Sequence, residues 1–468
     1  MSEFSRPLPG SFAGVQAPAA GRPGAGQLPA GIVLALGDIA VTQVVVAVAA
    51  LAVALVVGFD DLVATWRPDH AAAVTAALLA ANWQLGLYET CGRGPVERFR
   101  LRVLGGAIMP VAALALIALF DPAPRDALPL LAGAALLAVP ATLVCEARLQ
   151  DALIARGAWG CTAVLVGPEG ATARLAAALL ARPEIGFRPV ERCGDAARLT
   201  QPAAEIALVL AARGTPALAD LMRLEVRRII VVPELDALPG LWLQVRTVGD
   251  GAGIEVPHRS RSVACQRTKR AFDLCIAVPA LLACALPICI LALAIKAISP
   301  GPAFYVQRRV GLRGQPVPTL KLRTMYPDAE QRLKDLLDGD VVLRTEWERC
   351  VKLPHDPRIL PILGKVLRRF SLDELPQLWN VVRGEISMVG PRPFPAYHVA
   401  RFPPEFQALR ASVKPGLSGL WQISDRSDAD LQRQQEIDSF YIRNWSLWLD
   451  AYIVAKTLPA LLRARGAR

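Results

Sequence analysis

Long apolar segments near the start of the chain constrain its fold most. Each is close to the roughly 20 residues that cross a bilayer as a helix. The segments run over residues 33–57, 71–88, 103–120 and 128–148. Asn82 and Gln84 interrupt the second, and a mean hydropathy of +0.36 fits a chain with membrane segments rather than a large soluble core. The sequence therefore predicts a four-helix transmembrane bundle over residues 31–156.

Charged residues in the connections indicate the orientation of this bundle. Acidic residues follow the first and third segments, whereas arginines lie between the second and third and after the fourth. These residues are Asp60, Asp61, Asp121 and Asp126, and Arg93, Arg98, Arg100, Arg102, Arg148 and Arg156. The excess of positive charge on cytoplasmic connections places both ends of the bundle in the cytoplasm. Asp38, inside the first segment, is interpreted as a polar residue near a helix end rather than a functional intramembrane acid.

The segments on either side of the bundle differ in composition. Residues 1–30 are rich in Pro, Gly and Ala, and we expect disorder there, without a signal peptide. Over residues 157–258 short apolar strands alternate with helical stretches, which predicts a small Rossmann-like α/β module. Its glycine turn contains Pro168, and G-x-G-x-x-G is absent. A structural or regulatory module is therefore favoured over binding of NAD.

A further apolar stretch over residues 271–298 is long enough to cross a membrane, yet basic residues lie on both of its sides. A crossing helix should not carry the cytoplasmic signature at both ends. Pro279 and Pro287 lie inside it, and proline bends helices. The sequence predicts a re-entrant membrane helix that bends near Pro287 and returns. This helix belongs to a mixed, mainly helical catalytic domain over residues 259–468, so the fold class is a membrane protein with α and α/β parts.

The stretch from residue 369 to 380 carries the candidate chemistry. Ser371 is a favourable N-cap, and Glu374 three residues later completes a capping box. The first turn of the predicted helix would then hold Asp373 and Glu374, where the helix dipole favours carboxylates. An ordinary helix start is the structural alternative.

Cations elsewhere in this region are candidates to join those carboxylates at a phosphate-bearing substrate. The candidates are Lys321, Arg323 and Arg392, and Pro391 and Pro393 restrict the backbone on both sides of Arg392. The structural alternatives are an electrostatic membrane patch for Lys321 and Arg323 and a surface turn for Arg392.

The net charge of +11 fits these interpretations. The basic residues flank apolar segments, which indicates an anionic membrane face and phosphate substrates rather than nucleic acid. The nine cysteines contain no C-x-x-C pair and are expected to be buried thiols, and the four scattered histidines disfavour a histidine metal site. Trp445, Trp448 and Tyr452 near the end suit either a membrane interface or core packing, and both interpretations stay open.

At these motifs the sequence resembles the large monotopic phosphoglycosyl transferases of bacterial surface-polysaccharide assembly. The matching segments follow the family order over roughly the last 200 residues. They are Lys269-Arg270-x-Phe272-Asp273, Pro300-Gly301-Pro302, Gln307 to Gly311, Ser371 to Gln377, Val389 to Pro393 and Lys414 to Leu417.

The resemblance implies that a hexose-1-phosphate passes from a UDP-sugar to undecaprenyl phosphate with release of UMP, as the initiating step of exopolysaccharide, capsule or lipopolysaccharide O-antigen synthesis. Galactose is the favoured sugar and glucose the next. Asp373 is the implied nucleophile, forming a phosphosugar-aspartate, and Mg²⁺ is implied at Asp373 and Glu374. Lys321, Arg323, Pro391, Arg392 and Pro393 form the implied substrate-binding set. The resemblance places the protein in the bacterial inner membrane with its catalytic domain in the cytoplasm, and we expect a homodimer in contact with the lipid bilayer.

One departure and two alternatives remain. Ser424-Asp425-Arg426-Ser427 stands where the family commonly has Ser-Gly-Arg-Asn, which leaves the sugar open. Tyr452 and Lys456 have the spacing of the catalytic pair in membrane-bound, NAD-dependent nucleotide-sugar dehydratases. A non-catalytic scaffold for polysaccharide assembly is the second alternative, which the intact Asp373-Glu374 pair disfavours.

Overall fold

The structure is a computed structural model. It describes residues 29–57, 67–121, 123–194, 205–211, 226, 228–233, 244–248, 251–255, 263–339, 358–424 and 431–462. The predicted disordered segment lies, except for its last two residues, outside these ranges, as do residues 425–427 of the departing loop. The chain divides into two compact units, Met1–Asp236 and Ala237–Arg468. The finer division into four parts stays a prediction.

Helices of the first unit pack as the predicted bundle. They are α1 (Ala30–Val57), α2 (Pro68–Gln84), α3 (Pro95–Ala118) and α4 (Leu128–Ala155). Small and branched apolar residues fill the interior, with Val74, Met109, Ala113 and Ala134 fully buried. In the part of the first unit that the structure describes, α1, α3 and α4 are long and apolar enough to span a membrane. The 17-residue helix α2 is not among them, because it ends at Gln84 rather than extending to residue 88, and the second span stays a prediction.

A buried ion network joins the helices of the bundle. Arg102 on α3 contacts Asp38 on α1 at 2.6 Å and Glu146 on α4 at 2.5 Å, and Arg98 also pairs with Glu146. Tyr88 donates a hydrogen bond to Asp38 at 2.8 Å. The interpretation of Asp38 as a helix-end residue was therefore wrong, because it lies in the bundle interior with a charged partner. Arg98 and Arg102 are likewise internal ion-pair partners, which weakens their use as an orientation signal.

The α/β module of the first unit contains a parallel sheet in the order β2-β1-β3-β4. Its elements are β1 (Cys161–Val166), α5 (Glu169–Leu180), β2 (Phe187–Cys193), β3 (Ile206–Ala211) and β4 (Arg228–Pro233). Continuous apolar runs form the inner strands because a parallel sheet is buried on both faces, and Val164 and Val209 are fully buried. The predicted strands are thus present, and the Rossmann-like classification stays a prediction.

The described part of the second unit contains one long helix, short strand pairs and shorter helices. The strands are β5 (Gln244–Val248), β6 (Gly251–Glu255), β7 (Phe304–Val310), β8 (Pro316–Leu322), β9 (Ser387–Val389) and β10 (Gly416–Ser418). The helices are α6 (Val263–Ile298), α7 (Ala329–Gly339), α8 (Leu363–Arg369), α9 (Gln377–Arg383), α10 (Ala396–Val399), α11 (Pro404–Ala411), α12 (Leu420–Ser424), α13 (Leu431–Arg443) and α14 (Leu447–Leu462). The pairs β5–β6 and β7–β8 are antiparallel, and β9–β10 is parallel.

Helix α6 contains the fifth apolar stretch and stays helical through Pro279 and Pro287. A bend at Pro287 would therefore lie within a continuous helix rather than between two separate ones. Along one face the helix is buried at Asp273, Ala277, Ile288 and Ile295, whereas the opposite face exposes Leu282, Leu286, Ile290 and Leu293. Cys275 and Cys289 are also exposed on α6, which corrects the expectation of buried thiols for these two residues.

The aromatic C-terminal stretch packs into the core at Trp445. Its indole donates to Asp450 at 2.9 Å, and Tyr441 donates to the same carboxylate at 2.8 Å. Lys269 near the start of α6 completes this buried cluster at 2.7 Å from Asp450. For Trp445 core packing is therefore the correct alternative.

Candidate active site

The candidate site is assembled from segments that are distant in sequence. Strand β8 ends with Lys321 and Leu322, a 3-10 turn over Leu372–Glu374 carries the two carboxylates, and the loop after β9 carries Arg392. Asn380 on α9 holds two of these parts together. Its side chain accepts a hydrogen bond from Leu320 N at 2.9 Å and donates one to the Pro318 carbonyl at 2.8 Å.

The backbone at Ser371 differs from the predicted helix start. Ser371 adopts a left-handed conformation with φ of 53°, and its side chain makes no capping hydrogen bond. Helix α9 begins only at Gln377, after Pro376. The capping box and the helix-dipole argument for Asp373 were therefore wrong. A single 3-10 turn presents Asp373 and Glu374 instead.

Glu374 lies between two cations. Lys321 Nζ is 2.8 Å from its carboxylate, and Arg392 donates to both oxygens at 2.5 and 3.2 Å. Burial disfavours the ionised form of Glu374, but the Arg392 and Lys321 charges and their hydrogen bonds outweigh burial. They hold the pKa of Glu374 well below its usual range. This carboxylate is therefore ionised and closely paired.

Asp373 has a different environment from its neighbour. Its nearest ion-pair partner is Lys321, at 3.9 Å. Burial raises the pKa of Asp373, and repulsion from Glu374 adds to that effect, while Lys321 opposes it. Two adjacent carboxylates with opposite pKa shifts are typical of sites in which the groups have separate chemical roles. Asp373 is therefore the less closely paired of the two carboxylates.

Arg309 is a further cation at this site that sequence reasoning did not select. Its guanidinium donates to the Pro393 carbonyl at 2.6 Å, and burial together with repulsion from Arg392 lowers its pKa to about 10. The residue lies within the matching segment from Gln307 to Gly311, so that motif held the signal. With Lys321 and Arg392, it contributes to an excess of positive charge near the two carboxylates, and this excess suits a phosphate ligand.

Arg323, expected in the substrate-binding set, makes other contacts. Its guanidinium donates to the carbonyls of Ser299 at 2.5 Å and Pro300 at 3.0 Å. These bonds fix the chain that leaves α6, and none of them involves the two carboxylates. The structure thus brings Lys321 and Arg392, but not Arg323, into contact with the Asp373-Glu374 pair.

The Pro391-Arg392-Pro393 loop is held on several sides. The Pro391 carbonyl accepts a hydrogen bond from Gly416 N at 3.0 Å, which links the loop to β10. Arg410 on α11 donates to the Arg392 carbonyl at 2.5 Å and forms a buried ion pair with Asp438. The Arg410 guanidinium also lies over the ring of Phe394, 4.8 Å from its centroid. The fixed backbone supports the predicted positioning of Arg392.

The predicted Mg²⁺ would have the two adjacent carboxylates, Asp373 and Glu374, as its protein donors. Among the described residues, no group of three or more His, Cys, Asp or Glu side chains could hold a metal ion. Mg²⁺, however, is commonly bound by one or two carboxylates together with substrate phosphates and waters. Asp373 and Glu374 fit that smaller requirement, with Glu374 giving up part of its contact with Lys321 or Arg392.

Comparison with known proteins places these features in a family. The model for "Bacterial sugar transferase" matches residues 264–464, which contain every residue of the candidate site. An undecaprenyl-phosphate galactose phosphotransferase of Salmonella typhimurium is 44% identical over 167 residues, 36% of this chain and 35% of the relative. The chain thus aligns with about a third of that relative's length.

Shorter relatives are covered more completely. Exopolysaccharide production protein ExoY of Sinorhizobium fredii is 41% identical over 201 residues, 43% of this chain and 88% of the relative. A UDP-glucose:undecaprenyl-phosphate glucose-1-phosphate transferase of Caulobacter vibrioides is 41% identical over 215 residues, 44% of this chain and 73% of the relative. Because the match covers most of these relatives and includes the candidate site, the chain belongs to the bacterial sugar transferase family.

Proposed function

We propose that the protein transfers a hexose-1-phosphate from a UDP-sugar to undecaprenyl phosphate and releases UMP, as the initiating step of exopolysaccharide, capsule or O-antigen synthesis. The observation that carries this proposal is the Asp373-Glu374 pair in contact with Lys321 and Arg392, inside the region shared with the family. Family membership also favours a transferase over the dehydratase and scaffold alternatives. The homodimer stays a prediction.

In the first step, a carboxylate oxygen of Asp373 attacks the phosphorus that bears the sugar. A bond forms between this oxygen and phosphorus, and the bond from phosphorus to the UMP oxygen breaks with UMP taking the electron pair. Phosphoryl transfer relies mainly on positioning and on charge stabilisation. Lys321, Arg309 and Arg392 supply positive charge for the diphosphate, and Glu374 keeps Lys321 and Arg392 in place.

In the second step, the phosphate oxygen of undecaprenyl phosphate attacks the phosphosugar-aspartate. The bond between Asp373 and phosphorus breaks, which restores the carboxylate and leaves the sugar on a lipid diphosphate. Mg²⁺ held by Asp373 and Glu374 would neutralise charge on the donor phosphates. Because burial disfavours the Asp373 anion, this carboxylate is a better nucleophile than a fully solvated one.

Galactose is the proposed sugar, and glucose is the second candidate. Relatives with either sugar in their names share similar identity with this chain, at 44% for the galactose phosphotransferase and 41% for the glucose-1-phosphate transferase. Assay of UMP release with UDP-galactose, UDP-glucose and their N-acetylated forms tests this choice. A higher kcat/KM for UDP-glucose would reverse it.

We also propose that α6 enters and leaves the membrane on the cytoplasmic face of the bacterial inner membrane. Asp273 near its start accepts hydrogen bonds from Ser387 and Met388, while Ile288 and Ile295 in its second half pack with Leu322 and Leu360. About 33 Å of helix, roughly the hydrocarbon thickness, lies between Asp273 and Ile295, so a crossing helix would place the contacts of these two residues on opposite sides of the membrane. Contacts of both halves with one compact unit favour return to the same side.

Single cysteines test this topology. In a cysteine-free background, Ser262→Cys and Gln315→Cys should both resist a membrane-impermeant maleimide in intact cells and react after permeabilisation. Labelling of Gln315→Cys alone from outside would show a helix that spans the membrane.

The covalent mechanism is tested without the lipid acceptor. Wild-type protein with UDP-sugar and Mg²⁺ should release up to one equivalent of UMP per site and gain a phosphosugar mass on the peptide that contains Asp373. The matched Asp373→Asn variant should show neither product. Release of UMP only when undecaprenyl phosphate is present, without an adduct, would support direct transfer instead.

A further inference from the structure

Two cysteines of the first unit lie in direct contact, outside the candidate active site. Cys91 belongs to the connection between α2 and α3, and Cys161 is the first residue of β1. Their sulfur atoms are 2.8 Å apart. A disulfide bond is about 2.05 Å long, so closing the gap requires a movement of roughly 0.8 Å.

Backbone hydrogen bonds hold both cysteines beside the same segment of the chain. Gly92 N donates to the Ile185 carbonyl at 2.9 Å, and Cys161 N donates to the carbonyl of the next residue, Gly186, also at 2.9 Å. Both cysteines are therefore attached to the same short segment before β2. The fold itself thus brings the two sulfur atoms together.

Arg228 at the start of β4 makes one of the two sulfurs reactive. Its guanidinium donates to Cys91 Sγ at 3.3 Å and is itself held by Glu89 at 3.3 Å. The hydrogen bond from the Cys161 thiol lowers the pKa of Cys91, and the Arg228 charge adds to that effect against the opposing effect of burial. Thiolates, rather than thiols, are the nucleophiles in cysteine oxidation. Cys91 is thus the attacking residue and Cys161 the resolving one.

Access to the pair is through a cavity of about 610 Å³ in the first unit. Its lining includes Cys91, Cys161 and Arg228, together with Trp83 in the last turn of α2 and Tyr88 in the connection after it. A small oxidant that enters this cavity reaches Cys91 even though the residue is only 5% exposed.

We propose that Cys91 and Cys161 form a reversible redox-active dithiol whose oxidant is a small hydroperoxide. The Cys91 thiolate attacks one oxygen of the peroxide, the O–O bond breaks, and the departing oxygen takes the electron pair as hydroxide or alkoxide, which then gains a proton to become water or an alcohol. This gives a sulfenic acid on Cys91. Cys161 sulfur then attacks Cys91 sulfur, the S–S bond forms, and the hydroxyl group leaves as water with the Cys161 proton. The two cysteines lose two electrons in total, and the peroxide gains them.

The test uses the full chain in nanodiscs. Reduced protein is treated with one equivalent of hydrogen peroxide, remaining thiols are blocked, and digested peptides are analysed without reduction. We expect a peptide pair linked through Cys91 and Cys161, which dithiothreitol removes. Cys91→Ala and Cys161→Ala should each abolish that pair, whereas Cys193→Ser, a matched change on strand β2 of the same sheet, should leave it.

Arg228 variants separate activation from simple proximity. Arg228→Gln should slow formation of the disulfide by about tenfold or more, because it removes the positive charge that favours the Cys91 thiolate. Arg228→Lys keeps the charge and should restore most of the rate. Oxidation of Cys91 to sulfinic acid without a link, a link to Cys193, or no link while other cysteines oxidise would overturn the proposal.

Discussion

Asp373 and Glu374 are neighbours, and the structure predicts that loss of charge at Glu374 destabilises the fold, whereas loss of charge at Asp373 leaves stability nearly unchanged. Asp373→Asn and Glu374→Gln preserve side-chain size, so the two changes form a matched pair. Both should reduce transfer strongly, since one removes the proposed nucleophile and the other releases Lys321 and Arg392. Their effects on folding should differ, because Glu374 is closely paired and Asp373 is not.

For Asp373, the attraction to Lys321 at 3.9 Å corresponds to about 4 kcal/mol at an effective dielectric constant of 20. Burial and repulsion from Glu374 exceed this gain, since the pKa of Asp373 is raised. Neutralisation of Asp373 should therefore leave the free energy of unfolding within about 1 kcal/mol of the wild-type value, or increase it slightly. Functional groups in active sites often carry such a cost in stability.

For Glu374, neutralisation leaves two cations beside a neutral amide. Loss of one member of a buried ion pair destabilises by about 3–5 kcal/mol, and the proximity of Asp373 to Lys321 favours the lower end. For a unit of this size, 3 kcal/mol corresponds to a decrease in Tm of roughly 6–12 °C.

Thermal unfolding of both variants in the same nanodiscs, with UMP release measured in parallel, tests the reasoning. Asp373→Asn should be inactive with a Tm close to that of the wild type, and Glu374→Gln should be impaired and less stable. An equal loss of stability in both variants would show that Asp373 is a structural ion, contrary to its proposed role.

Three further predictions follow from the same site. The raised pKa of Asp373 places the acid limb of single-turnover UMP release above pH 3.8, because the anion is lost as pH falls through the folded-state pKa. Lys321→Gln should move that limb to still higher pH, since Lys321 lowers this pKa. A limb that moves to lower pH would refute the assignment of the limb to Asp373. Asn380→Asp replaces a hydrogen-bond donor by a second negative charge next to Glu385, so it should lower the free energy of unfolding by about 3 kcal/mol, measured by thermal unfolding. An unchanged stability would exclude Asn380 as the link between α9 and β8. A fragment that starts at residue 259 should retain transfer in detergent, and a folded but inactive fragment would show that the site needs residues before 259.

Several features were predictable because they depend on local sequence. Length and hydropathy identified the apolar helices, and short apolar runs identified strands β1, β3 and β4. Adjacent carboxylates and the Pro-Arg-Pro turn were visible as motifs. Helix α2 was less predictable, because whether an apolar run of marginal length spans a membrane depends on where its helix ends.

Other features depended on contacts between distant residues. The partners of Glu374 are 53 and 18 positions away, so no local pattern could show that both cations contact this carboxylate. Arg309 and Arg323 lie in similar basic stretches, yet one contacts the Pro-Arg-Pro loop and the other the end of α6. Likewise, the apolar sequence around Asp38 could not show that its ion-pair partner is Arg102, which is 64 residues away.

Sequence alone determined that this chain has apolar helices of membrane-spanning length, a parallel α/β module and a family-specific set of carboxylates and cations. Tertiary structure decided which of these charges meet. It also replaced the predicted capping box at Ser371 by a left-handed residue and a 3-10 turn. The physical reason is that local propensities are worth a few tenths to about 1 kcal/mol, whereas burial of ion pairs and apolar side chains involves several kcal/mol and selects the backbone that accommodates them.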